Sequence, residues 1–269
     1  MRARLPVFPL GTVLFPGLVL PLHIFEERYR ELIQHLIGLP EGMPREFGVV
    51  AIRRGWLGPG GGSGQLGPAT GGAAGSPSGL GVSGLPIGPG QERWLAAGGP
   101  DGGVADLAVI LHEVGCTAEL RQVTELPDGR FDVVTVGRRR FRIAEVDEGA
   151  TPYLTAEVEW LPEPAGQEEV ADLLAPRVIA VFRQYLSLMR DDPEEISEQL
   201  PDDATVLSHL VAATAALTLT DRQRLLATPD TAGRLRAELR LLSREAALLR
   251  QVRAVPVPLS ELAVPGSPN

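Results

Sequence analysis

The order of prolines and apolar residues in the first 36 positions constrains the local structure more than any other feature of the chain. Prolines at positions 6, 9, 16 and 21 interrupt short apolar stretches of β type. Because proline cannot donate a ladder hydrogen bond, it lies at strand ends, edges and bulges. The apolar spacing then becomes helical, at Phe25, Tyr29, Leu32, Ile33 and Leu36. The segment predicts two bent strands that lead into a helix.

A secretory signal peptide is the alternative for this stretch, because the basic residues of Met1–Arg4 precede an apolar run. The prolines and glycines between positions 6 and 21 would break the apolar helix that a signal peptide needs, and no small-x-small cleavage site follows. We therefore expect a cytoplasmic chain without a membrane segment. The single cysteine, Cys116, excludes an intramolecular disulfide and a multi-cysteine zinc site.

Composition excludes several classes of chemistry. The 25 basic residues, all of them arginine, stand against 34 acidic residues and give a net charge of −9. Without lysine, this sequence cannot supply a Schiff-base lysine, a phosphate-loop lysine or a Ser–Lys dyad. The even spread of acidic charge makes nucleic acid an improbable partner, because phosphate binding needs a concentrated positive face.

A Gly-rich segment divides the strand-like part of the chain. Nineteen of the 49 positions from 55 to 103 are glycine and six are proline, so the segment is expected to be a flexible insertion. Strand patterns occupy both sides of it. The turn residues Pro127-Asp128-Gly129 predict a hairpin between two alternating strands, and two further alternating strands extend to Trp160. Short strands joined by turns indicate a small, bent sheet or barrel.

The apolar period becomes helical after position 162. A helix predicted over 167–190 contains Pro176, which is expected to kink or split it. We predict an α+β fold in which a β-barrel subdomain (1–162, with the insertion 55–103) precedes an α-helical subdomain (163–252) and a flexible tail (253–269).

Three stretches resemble the N-terminal, substrate-binding domain of Lon proteases. The first runs from Pro6 to Tyr29 and is similar to that family's P-x-F-P-L … P-L-x-I-F-E-x-R-Y signature. The second is Val114–Leu120, and the third combines Leu126–Arg130 with Val136–Phe141. The resemblance implies a PUA-like barrel followed by helices. It also implies a stand-alone member, because the chain stops where an ATPase module would begin.

The resemblance implies a non-catalytic function. A Lon-like recognition domain would bind unfolded or exposed polypeptide segments, with a protease as a further partner and an adaptor role in protein quality control. Glu27, Arg28 and Arg30 match the family's most characteristic segment and are the candidate contact residues on that basis. The resemblance leaves the oligomeric state open.

Catalytic and metal-binding patterns are weak. Cys116 and His112 would lie about 13 Å apart on a strand, at ~3.3 Å per residue, which is too far for base-assisted attack. A buried structural role for Cys116 is therefore favoured. The four histidines are scattered, and no spacing indicates a metal site or a cofactor. We expect no enzyme activity.

The densest positive patch supports an alternative function. Arg138, Arg140 and Arg142 would share one face of a strand and could form an RNA-binding strip in a PUA-like protein. Cross-strand pairing with nearby acids such as Asp132, Glu145 and Glu157 is the other interpretation of these arginines. The negative net charge favours pairing.

Overall fold

The computed structural model describes residues 2–53, 110–147, 149, 151–189 and 200–252. The strands within these ranges are β1 (Arg2–Leu10), β2 (Val19–Ile24), β3 (Glu46–Ala51), β4 (Val114–Glu125), β5 (Phe131–Asp147) and β6 (Thr155–Trp160). The helices are α1 (Glu27–Ile37), α2 (Glu168–Met189), α3 (Ala204–Thr214), α4 (Leu219–Ala227) and α5 (Thr231–Val252). The predicted insertion (55–103) and the predicted tail (253–269) lie outside the described residues.

The chain divides into two compact units. The first unit comprises 1–163 and 212–229, and the second comprises 164–211 and 230–269. The sequence predicts one helical subdomain over 163–252. In the structure, 212–229 belongs instead to the unit that contains the strands. The difference arises because α4, inside 212–229, is bonded to the sheet: the Gln223 amide donates to the Val114 carbonyl oxygen of β4 at 2.7 Å.

The six strands form one sheet that closes on itself. Its order is β2-β5-β4-β3-β1-β6, and an additional β5–β6 pairing completes a ring of five strands. Only the β1–β3 pair is parallel among these pairings. The long strand β5 makes closure possible, since its first half pairs with β2 and its second half pairs with β6. The prediction of an α+β fold with a bent barrel is confirmed.

The prolines of β1 are tolerated because each half of that strand has one neighbour. Residues 2–6 pair with β6, whereas residues 7–10 pair with β3. Pro6 and Pro9 therefore each lie in a stretch that is paired on one side, as in an edge strand. Pro21 lies in β2, the end strand of the sheet.

The ring of Phe141 fills the barrel between two glycines. Phe141 is fully buried, and a Cβ atom built on Gly48 or Gly115 would lie 2.6 or 2.5 Å from its Cζ atom. Gly48 lies in β3 and Gly115 in β4, two strands that pair with each other. The Phe141 ring therefore needs a residue without a side chain on each of these two strands. This close approach explains why small residues occupy two strand interiors, where glycine is otherwise unfavourable.

The second unit is built on α2 and α5, which pack against each other. Pro176 lies inside α2 without splitting it, contrary to one of the predicted outcomes. Pro176 is exposed, as is Asp172 one turn earlier, so the carbonyl group that the proline leaves without a donor lies on the solvent side. Even these two helices, the longest that the structure describes, lack the apolar run that a bilayer crossing needs.

A buried polar pair lies on α5. Arg234 and Glu238 are 0% and 1% exposed, and the Arg234 Nε atom donates to the Ser208 hydroxyl of α3 at 2.8 Å. The carboxylate oxygens of Glu238 accept no hydrogen bond from the described residues. Burial raises the pKa of Glu238 well above its usual range, and the nearby Arg234 charge offsets this only in part.

We predict that Gly115→Ala destabilises the first unit. The new methyl group would overlap the Phe141 ring and the Val49 carbonyl oxygen, each at 2.5 Å, and overpacking of this kind costs about 1–3 kcal/mol. Thermal unfolding followed by circular dichroism measures the effect. Gly38→Ala is the matched control, because its nearest neighbour would be 3.4 Å away, within the range of ordinary contact. Equal melting temperatures for both variants would contradict the tight fit.

A second prediction concerns pH. The raised folded-state pKa of Glu238 means that its stabilising contribution is complete below the unfolded value of about 4.3 and declines as the pH rises towards the folded value. Glu238→Gln keeps the shape but cannot ionise. The melting temperature of this variant relative to the original chain should therefore rise between about pH 4 and 8. A difference that does not vary with pH would refute the argument; Glu245→Gln, on the same helix, is the control.

Candidate functional site

Helix α1 places the three candidate contact residues in different environments. The helix begins at Glu27 and buries Tyr29, Leu32, Ile33 and Leu36 against the barrel core. Glu27 is exposed, as expected. Arg28 is only one-quarter exposed; it pairs with Glu26 at 2.7 Å and lies 4.7 Å from the centre of the Tyr29 ring. One of the three candidate contact residues is therefore already engaged within the chain.

Arg30 connects α1 to the β4–β5 hairpin. Its Nη1 atom donates to the Gly129 carbonyl oxygen at 3.5 Å, at the tip of the turn that the sequence predicted. Gly129 has a φ of 78°, which glycine adopts without strain. Arg30 is half-buried. Of the three candidates, it therefore holds the hairpin against α1 as well as contributing to the surface.

A line of polar contacts continues from the hairpin to β2. Arg130 binds the Asp128 carboxylate at 2.5 Å, and this bond lowers the pKa of Asp128. Arg130 Nη1 also lies 3.1 Å from His23 Nε2, while His23 Nδ1 lies 2.6 Å from the Asp132 carboxylate. Since arginine can only donate, Nε2 must accept and Nδ1 must donate. Four charged or polar side chains are thus mutually satisfied at this edge.

Beside this polar line, the outer face of β2 and β5 is apolar. Val19 lies opposite Val136, and Pro21 lies opposite Val134, on the side of the sheet away from the core. Val19 is 48% exposed. This face is not among the sequence predictions. The pattern that could have revealed it is the presence of apolar residues at consecutive positions of both strands, which puts apolar side chains on both faces of the sheet. We call these four residues the β2–β5 apolar face.

The arginine strand does not present a strip. Cys116 lies opposite Arg140 and Ala118 opposite Gly137, so Thr117 faces two residues, Arg138 and Arg139. This β-bulge shifts the alternation, so Arg138 is out of phase with Arg140 and Arg142. Of the latter two, Arg140 is buried by its contacts with residues 226–229, whereas Arg142 is exposed. The predicted common face for Arg138, Arg140 and Arg142 is therefore wrong.

The exposed arginines of the bulge are paired with acids. Arg138 Nε lies 2.9 Å from Glu119, and Arg139 Nη2 lies 2.7 Å from the buried Glu46. Arg139 also stacks over Trp160, 3.9 Å from the ring centre. The acidic partners differ from Asp132, Glu145 and Glu157, which the sequence suggested. The interpretation that these arginines form ion pairs nevertheless holds for Arg138 and Arg139.

Arg140 is 1% exposed and binds the end of helix α4. Its two terminal nitrogens donate to four carbonyl oxygens, those of Leu226 (2.7 Å), Thr228 (2.6 Å), Pro162 (3.0 Å) and Pro229 (3.3 Å). Its Nε atom pairs with the Glu163 carboxylate. The last carbonyls of a helix lack partners within the helix and carry partial negative charge, so a buried guanidinium satisfies both needs.

Comparison with known proteins places this fold in a family. The family model of the ATP-dependent protease La (LON) substrate-binding domain matches residues 4–244. The chain belongs to this family. The N-terminal domain of the Mycobacterium avium complex Lon protease has the same fold, with a TM-score of 0.54 at 18% identity over 90% of this chain and 98% of that chain.

Complete Lon proteases resemble only part of the chain. Lon protease 1 of Thermus thermophilus is 35% identical over 140 residues, which are 50% of this chain and 17% of that protease. The Lon protease of Escherichia coli K12 is 30% identical over 142 residues, which are 52% of this chain and 18% of that protease. The chain thus matches less than a fifth of the length of these relatives.

The residues that carry the Lon resemblance have structural roles here. Gly115 makes room for Phe141, and Arg140 holds α4. Gly137 lies against the Phe15 carbonyl oxygen; its own N–H donates to Leu18 at 2.8 Å, and its carbonyl oxygen accepts from Gly17 at 2.8 Å. A side chain at Gly137 would push β5 away from the segment 15–18 that leads into β2. The residues of the Lon-like motif therefore hold the barrel together and anchor helix α4.

Cysteine chemistry finds no support among the described residues of this Lon-family chain. Cys116 is fully buried, and burial raises the pKa of its thiol far above the usual range. Its sulfur lies 3.5 Å from the Thr117 carbonyl oxygen. Burial also lowers the pKa of His112. A thiol that resists ionisation is a poor nucleophile, and no metal-binding cluster of His, Cys, Asp or Glu occurs within the ranges described above.

We predict that Arg140→Lys lowers stability strongly, whereas Arg142→Lys does not. Lysine keeps the charge but cannot reach four carbonyl groups and Glu163 at once, and breaking a buried ionic network costs about 3–5 kcal/mol. Arg142 is exposed on the same strand, where changes lie within about ±0.5 kcal/mol. Urea unfolding of both variants measures this contrast. Similar losses in the two variants would show that α4 does not depend on Arg140.

Proposed function

We propose that this chain is a non-catalytic module that binds unfolded or exposed polypeptide segments. Its membership of the Lon substrate-binding domain family is the observation that carries the proposal. The first unit supports it, because the described surface combines satisfied polar groups with an exposed apolar face. Apolar surface inside a polar rim is typical of protein interaction sites.

RNA binding, the alternative from the sequence, loses its physical basis. It required three arginines on one face, whereas Arg140 is buried and Arg138 is paired with Glu119. A phosphate would have to compete with these carboxylates, in a chain whose net charge is −9. The same charges do not oppose an apolar polypeptide.

An adaptor role follows as the finer part of the proposal. A module that binds client polypeptide and also contacts a protease would deliver the client for degradation. The cytoplasmic location expected from the sequence suits such a role and stays a prediction, as do the identity of the protease and the oligomeric state.

Binding of an unfolded protein tests the proposal. We expect the 269-residue chain to bind fluorescein-labelled lysozyme that has been reduced and carboxymethylated, measured by fluorescence anisotropy. Native lysozyme with its disulfides intact and a single-stranded RNA should not compete. The proposal fails if the unfolded protein does not bind, or if RNA competes at low micromolar concentration in a salt-dependent manner.

The three α1 candidates give a further prediction. Simultaneous replacement of Glu27, Arg28 and Arg30 by alanine should weaken binding of the unfolded lysozyme, because these residues belong to the segment most similar to Lon and Arg30 bonds to the hairpin that borders the apolar face. The melting temperature should fall only slightly, since exposed and half-exposed pairs contribute about 0–1 kcal/mol each. Arg142→Ala, at an exposed position of the arginine strand, is the control that should leave binding unchanged. The opposite pattern would move the contact surface to the arginine strand.

A further inference from the structure

The β2–β5 apolar face has a defined boundary on three sides. In the next row of the sheet, His23 lies opposite Asp132, and the two side chains bond to each other. On β4, Glu119 lies opposite Val136 and Gln122 lies opposite Val134. Beyond Val136 on β5, Arg138 pairs with Glu119. Polar groups therefore surround the apolar face wherever the sheet continues, and two pairs of them, His23–Asp132 and Arg138–Glu119, are bonded to each other.

The fourth side is an open strand edge. Strand β2 ends the sheet and pairs only with β5 among the described strands. The backbone bonds between Gly137 and residues 17 and 18 set the register. By the alternation of antiparallel ladders, Leu20, Leu22 and Ile24 then point their N–H groups towards β5, and the residues between them point theirs outwards. Val19 and His23 thus direct their N–H and carbonyl groups, and Pro21 its carbonyl group, away from β5, to a side where none of the described strands pairs with β2.

The charged side chains of the described rim form two groups whose net charges offset each other. Arg138, Glu119 and Arg121 form one paired group, with distances of 2.9 and 3.2 Å. Asp128, Arg130, His23 and Asp132 form the other. Arg121 and Arg138 share the single Glu119 carboxylate, which leaves one net positive charge, whereas the second group, with His23 neutral, has one net negative charge. Neither an acidic nor a basic peptide is therefore favoured along the whole rim. The electrostatics fit a neutral, apolar ligand.

The spacing of the apolar face fits an extended chain. Val19 and Pro21 are two positions apart on one strand, and Val134 and Val136 are two positions apart on its neighbour. This spacing places the side chains of each pair about 7 Å apart. An extended polypeptide repeats its same-side residues at this distance. We infer that the β2–β5 apolar face and the open edge of β2 bind extended client segments that carry apolar side chains at alternate positions. This inference rests on the proposed function and specifies where, and in which conformation, the client is bound.

Val19→Glu tests the placement. This variant adds a charge to the apolar face on its open side, at the first residue of β2, and we expect it to weaken binding of reduced, carboxymethylated lysozyme at least tenfold. Met43→Glu is the matched control: Met43 is 55% exposed in the same unit but lies outside this face, and binding should change less than twofold. The double variant Val19→Thr/Val134→Thr keeps β-branched shapes and should weaken binding about threefold or more, with an unchanged melting temperature.

Two peptides test the conformation of the ligand. Valine alternates with serine in the first, and in the second, of the same composition, the valines are contiguous. We expect the alternating peptide to bind at least fivefold more tightly, and Val19→Glu to abolish this difference. Equal binding of the two peptides would overturn the extended-chain assignment.

The outcomes separate the two proposals. Absence of binding of unfolded lysozyme by the unmodified chain would overturn both. Binding that survives Val19→Glu, or that Met43→Glu reduces equally, would overturn the placement alone and leave the proposed function standing. A change of oligomeric state in Val19→Glu, seen by light scattering, with client binding unaltered, would assign this face to a second copy of the chain and overturn the inference.

Discussion

The buried guanidinium of Arg140 is the interaction on which the first unit depends. It lies on β5, the strand that closes the barrel, and it binds carbonyl groups in the last turn of α4 and directly after that helix. One side chain thereby joins the sheet to a helix that lies more than eighty positions later in the sequence. A charge with 1% exposure is stable only because every nitrogen of its guanidinium group has a partner. This anchor explains why 212–229 belongs to the barrel unit.

Local pattern was sufficient to predict the architecture. Alternation predicted four strands up to Trp160, and the structure joins two of them, 131–136 and 140–146, in the single long strand β5. Turn chemistry predicted the hairpin at Pro127–Gly129, and the apolar spacing predicted α1. Each of these depends on neighbours in sequence, so it is visible in one chain. The helical period also predicted α4, but it gave no sign that this helix packs on the sheet, because Gln223 and Arg140 are polar and resemble surface residues in a pattern.

The error in the arginine strand has the same origin. A period of two assigns Arg138, Arg140 and Arg142 to one face, and that argument holds only for a regular ladder. The bulge opposite Thr117 adds one residue to β5 and reverses the order beyond it. No local feature of Gly137–Phe141 reveals where the partner strand slips. The β2–β5 apolar face is not predicted for a related reason. Its residues on β2 and on β5 are far apart in sequence, and only the pairing of the two strands brings them together.

These findings relocate the candidate binding surface. The arginine strand is occupied by internal bonds, whereas β2 offers apolar side chains, an open edge and a polar rim that continues through the hairpin to Arg30. Hydrogen exchange of the full chain, measured by mass spectrometry with and without reduced, carboxymethylated lysozyme, tests this most directly. The account predicts slower exchange in 19–24 and 131–136 when the client is bound. Slower exchange confined to 138–142, or to residues outside the first unit, would contradict it.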